Sequence, residues 1–257
     1  MLRKRIIFTL IYNQDFFMQS RNFRLQRVGD VSWLEKHYQL QKNSFFIDEL
    51  IILDVSRSIK SIDSFSKTIA RLADKVFIPV VAGGGIKALE DAEKLFYHGA
   101  DKIVLNTILF KDPETVVDLI DKYGSQSIVA SIDYDKEQNV YIENGQTKIN
   151  MSLQNYICHI EQLNVGEIYL NSMERDGTGF GYDFNVTEKL KGITTPLIIA
   201  GGAGNELHLI DGLRKNEISA VATANLFNFM GNGLENARKK IINAGINVAP
   251  WIKNTQD

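Results

Sequence analysis

Eight short apolar runs rich in Ile, Val and Leu recur along the chain, separated by stretches in which apolar and charged positions alternate at helical spacing. They are "RIIFTL" from Arg5, "ELIILDV" from Glu49, "IPVVAGGG" from Ile78, "KIVLNT" from Lys102, "SIVASID" from Ser127, "EIYLNS" from Glu167, "PLIIAGG" from Pro196 and "AVATAN" from Ala220. Runs apolar on both faces suit strands of a parallel sheet covered by helices. The segments between carry helix punctuation: "KDPETVVDLIDKYG" has Asp112 as N-cap, Pro113 in the first turn and Gly124 as the stop, and "ALEDAEKLFYHGA" ends at Gly99. Eight strand–helix units in 257 residues predict an α/β chain folded as a (β/α)₈ barrel. A doubly wound open sheet is the rival, but it has fewer strands and often a glycine fingerprint after the first, absent here.

The runs also pair across the chain. "DELIILDV" matches "GEIYLNS", "IPVVAGGGI" matches "TPLIIAGGAG", and "KIVLNTILF" matches "AVATANLF"; Glu49 and Glu167, like Gly83 and Gly201, stand 118 positions apart. This reads as one barrel domain, 1–257, made of two duplicated halves, about 1–124 and 125–257. The duplication places Ile11 and Asp133 at equivalent carboxyl ends of the first and fifth strands. The insertion "KEQNVYIENGQTKIN" predicts a hairpin turning at Asn144-Gly145 over the same face. The stretch after the first strand, from Asn13, reads as a loop.

Composition adds exclusions. Hydrophobic residues make up 44% and charged ones 23%, the balance of a soluble globular chain, and acidic and basic residues interleave to a net charge of −2. Neither nucleic acid nor an anionic membrane is favoured as a partner. Cys158 is the only cysteine, which excludes an internal disulfide, and the four histidines have no ligand spacing, so no structural metal is expected. The basic-then-apolar start lacks a cleavage site and soon reaches Asn13 and Asp15; no run approaches the roughly 18 apolar residues of a membrane span. A reducing cytoplasm is the expected compartment.

In such a barrel the site lies at the carboxyl ends of the strands. Two glycine-rich turns fall there, "GGGI" at Gly83–Ile86 and "GGAG" at Gly201–Gly204. Glycine lets backbone amides approach an anion, so Gly84, Gly85, Gly201 and Gly202 are candidate phosphate ligands. One such turn is as often only a tight turn. Two at duplicated positions favour phosphate, and their opposed placement suggests an elongated substrate with a phosphate at each end. Asn106, Thr107, Asp176, Gly177, Thr178, Ala224 and Asn225 complete the two pockets.

"RIIFTL", "DELIILD", "VAGGGI", "GADKIVLNT", "SIDYD", "ERDGTGFGYD" and "IIAGGAG" stand in the order and spacing of one family. The chain resembles, over nearly its whole length, the cyclase subunit of imidazole glycerol phosphate synthase. The resemblance implies a bisphosphate nucleotide substrate, no metal or other cofactor, and a heterodimer with a glutaminase (HisH-like) subunit. That partner docks on the amino-terminal face and sends ammonia through the barrel. It also implies a ring of four charges closing the channel, Arg5, Glu49, Lys102 and Glu167, and a glutaminase contact at Asp101. A charged strand start taken singly is more often only solvated. Four with the family's identities favour the gate, since a buried ring is a costly way to gain stability.

The family's cyclase uses two strand-end aspartates as general acid and base. One maps to Asp133; the other falls on Ile11, which can move no proton. Such a carboxylate contributes about 10² to 10⁴ in rate. Gln19 replaces a lysine over the substrate, and "AGG" replaces "ASGG" in the seventh-strand turn, which implies a shortened phosphate pocket. The chain therefore looks like divergent relatives found with surface-polysaccharide genes, which deliver ammonia to a sugar amidotransferase making acetamidino sugars. Three alternatives stand: a working cyclase, with Asp15 or Asp54 substituting for the lost carboxylate; a non-catalytic allosteric scaffold for the glutaminase; and the related sugar isomerase, against which Ile11 argues equally.

Other residues have plainer readings. Phe16 and Phe17 either cap a ligand, dock a third protein or pack on the rim. Cys158 and His159 fall on a helix away from the strand ends, and His37, His98 and His208 are surface or packing histidines on helices. Trp251 is expected to cover an apolar end of the barrel.

Overall fold

A computed structural model describes residues 3–57, 60–190, 192–225, 227–229 and 231–250. Its strands are β1 (Arg5–Asn13), β2 (Phe16–Arg21), β3 (Arg24–Asp30), β4 (Glu49–Asp54), β5 (Val80–Gly83), β6 (Lys102–Leu105), β7 (Ile128–Tyr134), β8 (Asn139–Ile142), β9 (Thr147–Ser152), β10 (Glu167–Ser172), β11 (Leu197–Ala200) and β12 (Ile218–Thr223). β1, β4, β5, β6, β7, β10, β11 and β12 pair in parallel in that order, and β12 pairs with β1 to close the barrel. The (β/α)₈ expectation holds, with each predicted run lying on its own barrel strand.

Strand alternation builds two cores. On β1, Ile6, Phe8 and Leu10 join the layer between strands and helices, while Ile7 points to the axis with Ile51, Val81, Val129, Tyr169 and Ile198. Helix signals are met where they were read: Asp112 accepts from the Thr115 amide at 3.2 Å and caps the helix Pro113–Tyr123. Below the barrel, the buried Arg238 pairs with Asp48 at 2.8 Å and so ties the last described helix to the start of β4.

The stretch after the first strand is not a loop. β1 runs on past Ile11, and Ile11, Tyr12 and Asn13 pair antiparallel with Met18, Phe17 and Phe16; β3 then pairs with β2. Gln14 and Asp15, both at positive φ (48° and 67°), form the first tight turn, and Asn22 and Phe23 (49° and 60°) the second. Neither pair carries the Asn-Gly signature, which hid the hairpin. Phe17 is fully buried against Tyr12, and Arg27 stacks its guanidinium over Phe16, so this pair packs on the rim. The second hairpin, β8–β9, turns through Asn144 and Gly145 as read, and the Asn144 amide donates to the carbonyls of Val55 and Ser56 across the mouth. Trp251 lies outside the described residues.

Candidate functional site

A cavity of about 960 Å³ opens at the carboxyl ends of the strands, between the two hairpins. Of the candidate phosphate ligands, Gly84, Gly85, Asn106, Thr107, Asp176, Gly177, Gly201, Gly202, Ala224 and Asn225 line it, and Thr178 does not. Gly84 and Gly202 sit at φ of 105° and 104°, and a Cβ on either would fall 2.1 Å from a neighbouring carbonyl oxygen. Only glycine fits there. The polar candidates already have protein partners. Thr107 Oγ1 accepts from the Glu143 amide at 3.1 Å, and Asn106 donates to Ser131 O at 3.0 Å.

Asp133 closes β7 and is buried in the cavity floor. Asn171 Nδ2 donates to Oδ1 at 2.8 Å, and Asn106 Nδ2 lies 3.4 Å from Oδ2. Burial pushes the carboxyl up to about 7, and the charge of Asp176 adds to this against the Asn171 hydrogen bond. A carboxyl so placed can hold or release a proton near neutral pH. Ile11 also lines the cavity, so the first-strand position faces it with an apolar side chain.

The two candidate substitute carboxylates differ in their access to the cavity. Asp15 stands exposed on the rim, accepting from Tyr12 Oη at 2.6 Å and Ser64 Oγ at 2.8 Å, and is no part of the cavity wall. Asp54 lines the cavity, but its Oδ1 accepts from the Ser56 amide at 2.9 Å.

Asp176 has a role that sequence reasoning missed. Its carboxylate accepts from the Ser20 hydroxyl and, at 3.0 Å, from the Phe23 amide, while its carbonyl accepts from Asn22 N at 2.9 Å. The β2–β3 tip is clasped over the mouth. Burial raises the Asp176 carboxyl, and these two donors work against that shift. Gly177 seats the tip, since a Cβ there would lie 2.0 Å from Ser20 O. Gly177→Ala is therefore expected to lift the tip and speed tryptic cleavage at Arg21 and Arg24 by about tenfold, with the barrel still resistant. Unchanged cleavage would remove the clasp from the account.

At the opposite end, the four strand-start charges meet. Arg5 Nη1 lies 3.0 Å from Glu49, and Arg5 also pairs with Glu167; Lys102 Nζ lies 2.6 Å from Glu49 and 2.7 Å from Glu167. The ring is complete and largely buried. Burial pushes the Glu49 carboxyl up despite its two cations, whereas Arg5 overcomes burial at Glu167 and holds it below the usual range. Burial opposes the charge of Lys102 as well, but the two glutamates outweigh it and raise its pKa. Asp101 is exposed beside the ring, with Oδ2 accepting from Val80 N at 2.8 Å.

Between ring and cavity lies the apolar layer of Ile7, Ile51, Val81, Val129 and Ile198. Above it the buried Tyr169 hydroxyl meets Thr9 Oγ1 at 3.2 Å. Glu167, Tyr169 and Asn171 thus mark three levels of one strand face: ring, middle and floor. Their i, i+2, i+4 spacing was the available signal for Tyr169 and Asn171 once Glu167 was placed inward.

A family model described as "Histidine biosynthesis protein" matches residues 20–232. The imidazole glycerol phosphate synthase subunit HisF of Chlorobium limicola is 34% identical over 253 residues, covering 96% of this chain and 99% of that protein. The chain belongs to the HisF family. Another HisF relative, from Chlorobium luteolum, is 35% identical over 256 residues, covering 96% of this chain and 99% of its own length. A protein provisionally named imidazole glycerol phosphate synthase subunit hisF2, from Parasynechococcus marenigrum, is 42% identical over 256 residues, 98% of this chain and 95% of its own. This HisF-like chain has, among the described residues, no helix long and apolar enough to cross a membrane.

Proposed function

We propose that this HisF-like subunit receives ammonia from a glutaminase docked on the amino-terminal face and passes it through the barrel to an acceptor reaction, sugar amidination, with its own cyclase chemistry impaired. The observation that carries the reading is the contrast between the two ends of one molecule. The four-charge ring is intact and mutually paired, while the cavity floor sets Asp133 across from an apolar Ile11. A small neutral nucleophile suits the apolar layer between them. The phosphate pockets hold a phosphorylated ligand, Asp101 belongs to the glutaminase contact, and a sugar amidotransferase at the mouth consumes the ammonia.

A second reading, a working cyclase, is favoured by the neutral-range carboxyl of Asp133. The two separate on one assay. With ammonium salt and phosphoribulosyl-formimino aminoimidazole carboxamide ribonucleotide, the purified chain is expected to turn over about 10² to 10⁴ below a subunit that keeps both aspartates. Ile11→Asp is expected to recover part of that rate. Full turnover by the unmodified chain would overturn the impaired-cyclase proposal and leave the second reading standing.

A further inference from the structure

The two glycine turns that frame the mouth differ in charge. At the repeat distance of 118 positions, Gly84 corresponds to Gly202, Arg57 to Arg175, Lys60 to Thr178 and Lys87 to Asn205. The first half therefore carries two lysines where the second carries neutral side chains. Both lysines line the cavity; Thr178 and Asn205 do not. Asn205 is engaged locally, its Oδ1 capping a helix through the amides of Leu207 and His208.

The fold places Lys60 over the first turn. Its stem runs along Gly85, where an added Cβ would come within 3.0 Å of Cδ. Its ammonium donates at 3.1 Å to Asp54 O, the same carbonyl that presses on Gly84. Burial, and secondly the charge of Lys87, act against the protonated form of Lys60, with Asp54 favouring it. Neither lysine forms an ion pair with a described residue, whereas Lys111 on the same wall is paired with Glu143. Two like charges on one cavity wall, with the Asp54 charge offsetting only part of the cost at Lys60, make a place where an anion lowers the energy of both.

We propose that the mouth binds a ligand with unequal ends: a phosphate monoester against Gly84 and Gly85 between Lys60 and Lys87, and an uncharged, hydroxyl-bearing end against Gly201 and Gly202. This rests on the reading of the cavity as a phosphate site and replaces the expectation of a phosphate at each end. A sugar phosphate is the matching class of ligand.

The test is a titration of the full chain with inorganic phosphate, followed through the backbone amide resonances of Gly84, Gly85, Gly201 and Gly202. Gly84 and Gly85 are expected to reach half-saturation at a concentration at least about tenfold lower than Gly201 and Gly202, as two added unit charges at short range in a wet cleft dictate. Lys60→Thr and Lys87→Asn, which install the side chains of the second half, are expected to remove most of that difference. Both side chains reach solvent at the mouth although the Lys60 ammonium is partly desolvated by the wall it lies on, and unchanged melting of the variants confirms that the fold is kept. Equal saturation of the two turns, or a Gly84 titration indifferent to both substitutions, would overturn the inference while leaving the phosphate reading intact. No response at either turn would overturn both.

Discussion

Arg5→Ala is expected to cost the barrel about 3 kcal/mol at pH 8, near the low end for breaking a buried ion pair, and clearly less at pH 5. Arg5 contacts both glutamates of the ring, so its loss leaves Lys102 to balance Glu49 and Glu167 alone. The Arg5 side chain keeps 26% of its exposure, so water softens the imbalance and holds the cost at that low end. The pH dependence follows from Glu49. Burial already raises this carboxyl, and Glu167 raises it further. Removing a cation moves it higher still. A carboxyl raised in the folded state binds its proton there before the unfolded chain does, so stability falls as pH rises through the interval between the two pKa values. The variant widens that interval, and protonation of Glu49 at low pH restores a neutral ring. Urea unfolding at the two pH values measures it, and adding Glu167→Ala is expected to recover part of the loss by removing the excess charge. Equal losses at pH 5 and pH 8 would mean that the ring is not an electrostatic unit.

How far the sequence reaches depends on the distance over which each feature is encoded. The barrel strands were legible because a strand buried on both faces has to be apolar throughout, and eight such runs repeat. Arg5, Glu49, Lys102 and Glu167 were legible as positions, since each begins its strand. Their mutual contacts depend on barrel closure, which no local pattern records. The β2–β3 hairpin was missed because its turns use Gln14-Asp15 and Asn22-Phe23, non-glycine residues at positive φ held by tertiary contacts such as the Phe23 amide on Asp176. Asp176 itself was read as a phosphate ligand from its motif. Its bond to Ser20 joins residues 156 positions apart, a separation at which only the folded chain can assign a partner.

Asp133→Asn is expected to make the protein more stable at pH 8, by about 2–4 kcal/mol, and to change it little near pH 3. The folded-state carboxyl titrates at about 7, against an ordinary value of 3.8, and burial is the main cause. Between those values the unfolded chain has lost its proton and the folded chain still holds it. Stability therefore declines as pH climbs through that window and levels off above it, with the buried anion then carried at full cost. Asparagine is never ionised, so the decline disappears, while the Asn171 amide keeps an oxygen to donate to. Denaturant midpoints taken from pH 3 to pH 8 test this; a variant no more stable than its parent at pH 8 would show that the cavity solvates the anion well. A carboxyl that weakens its own fold at neutral pH, while Ile11 opposite shows that this floor accepts an apolar side chain, has a use other than stability. Holding or releasing a proton at the floor of the cavity is the use its position allows.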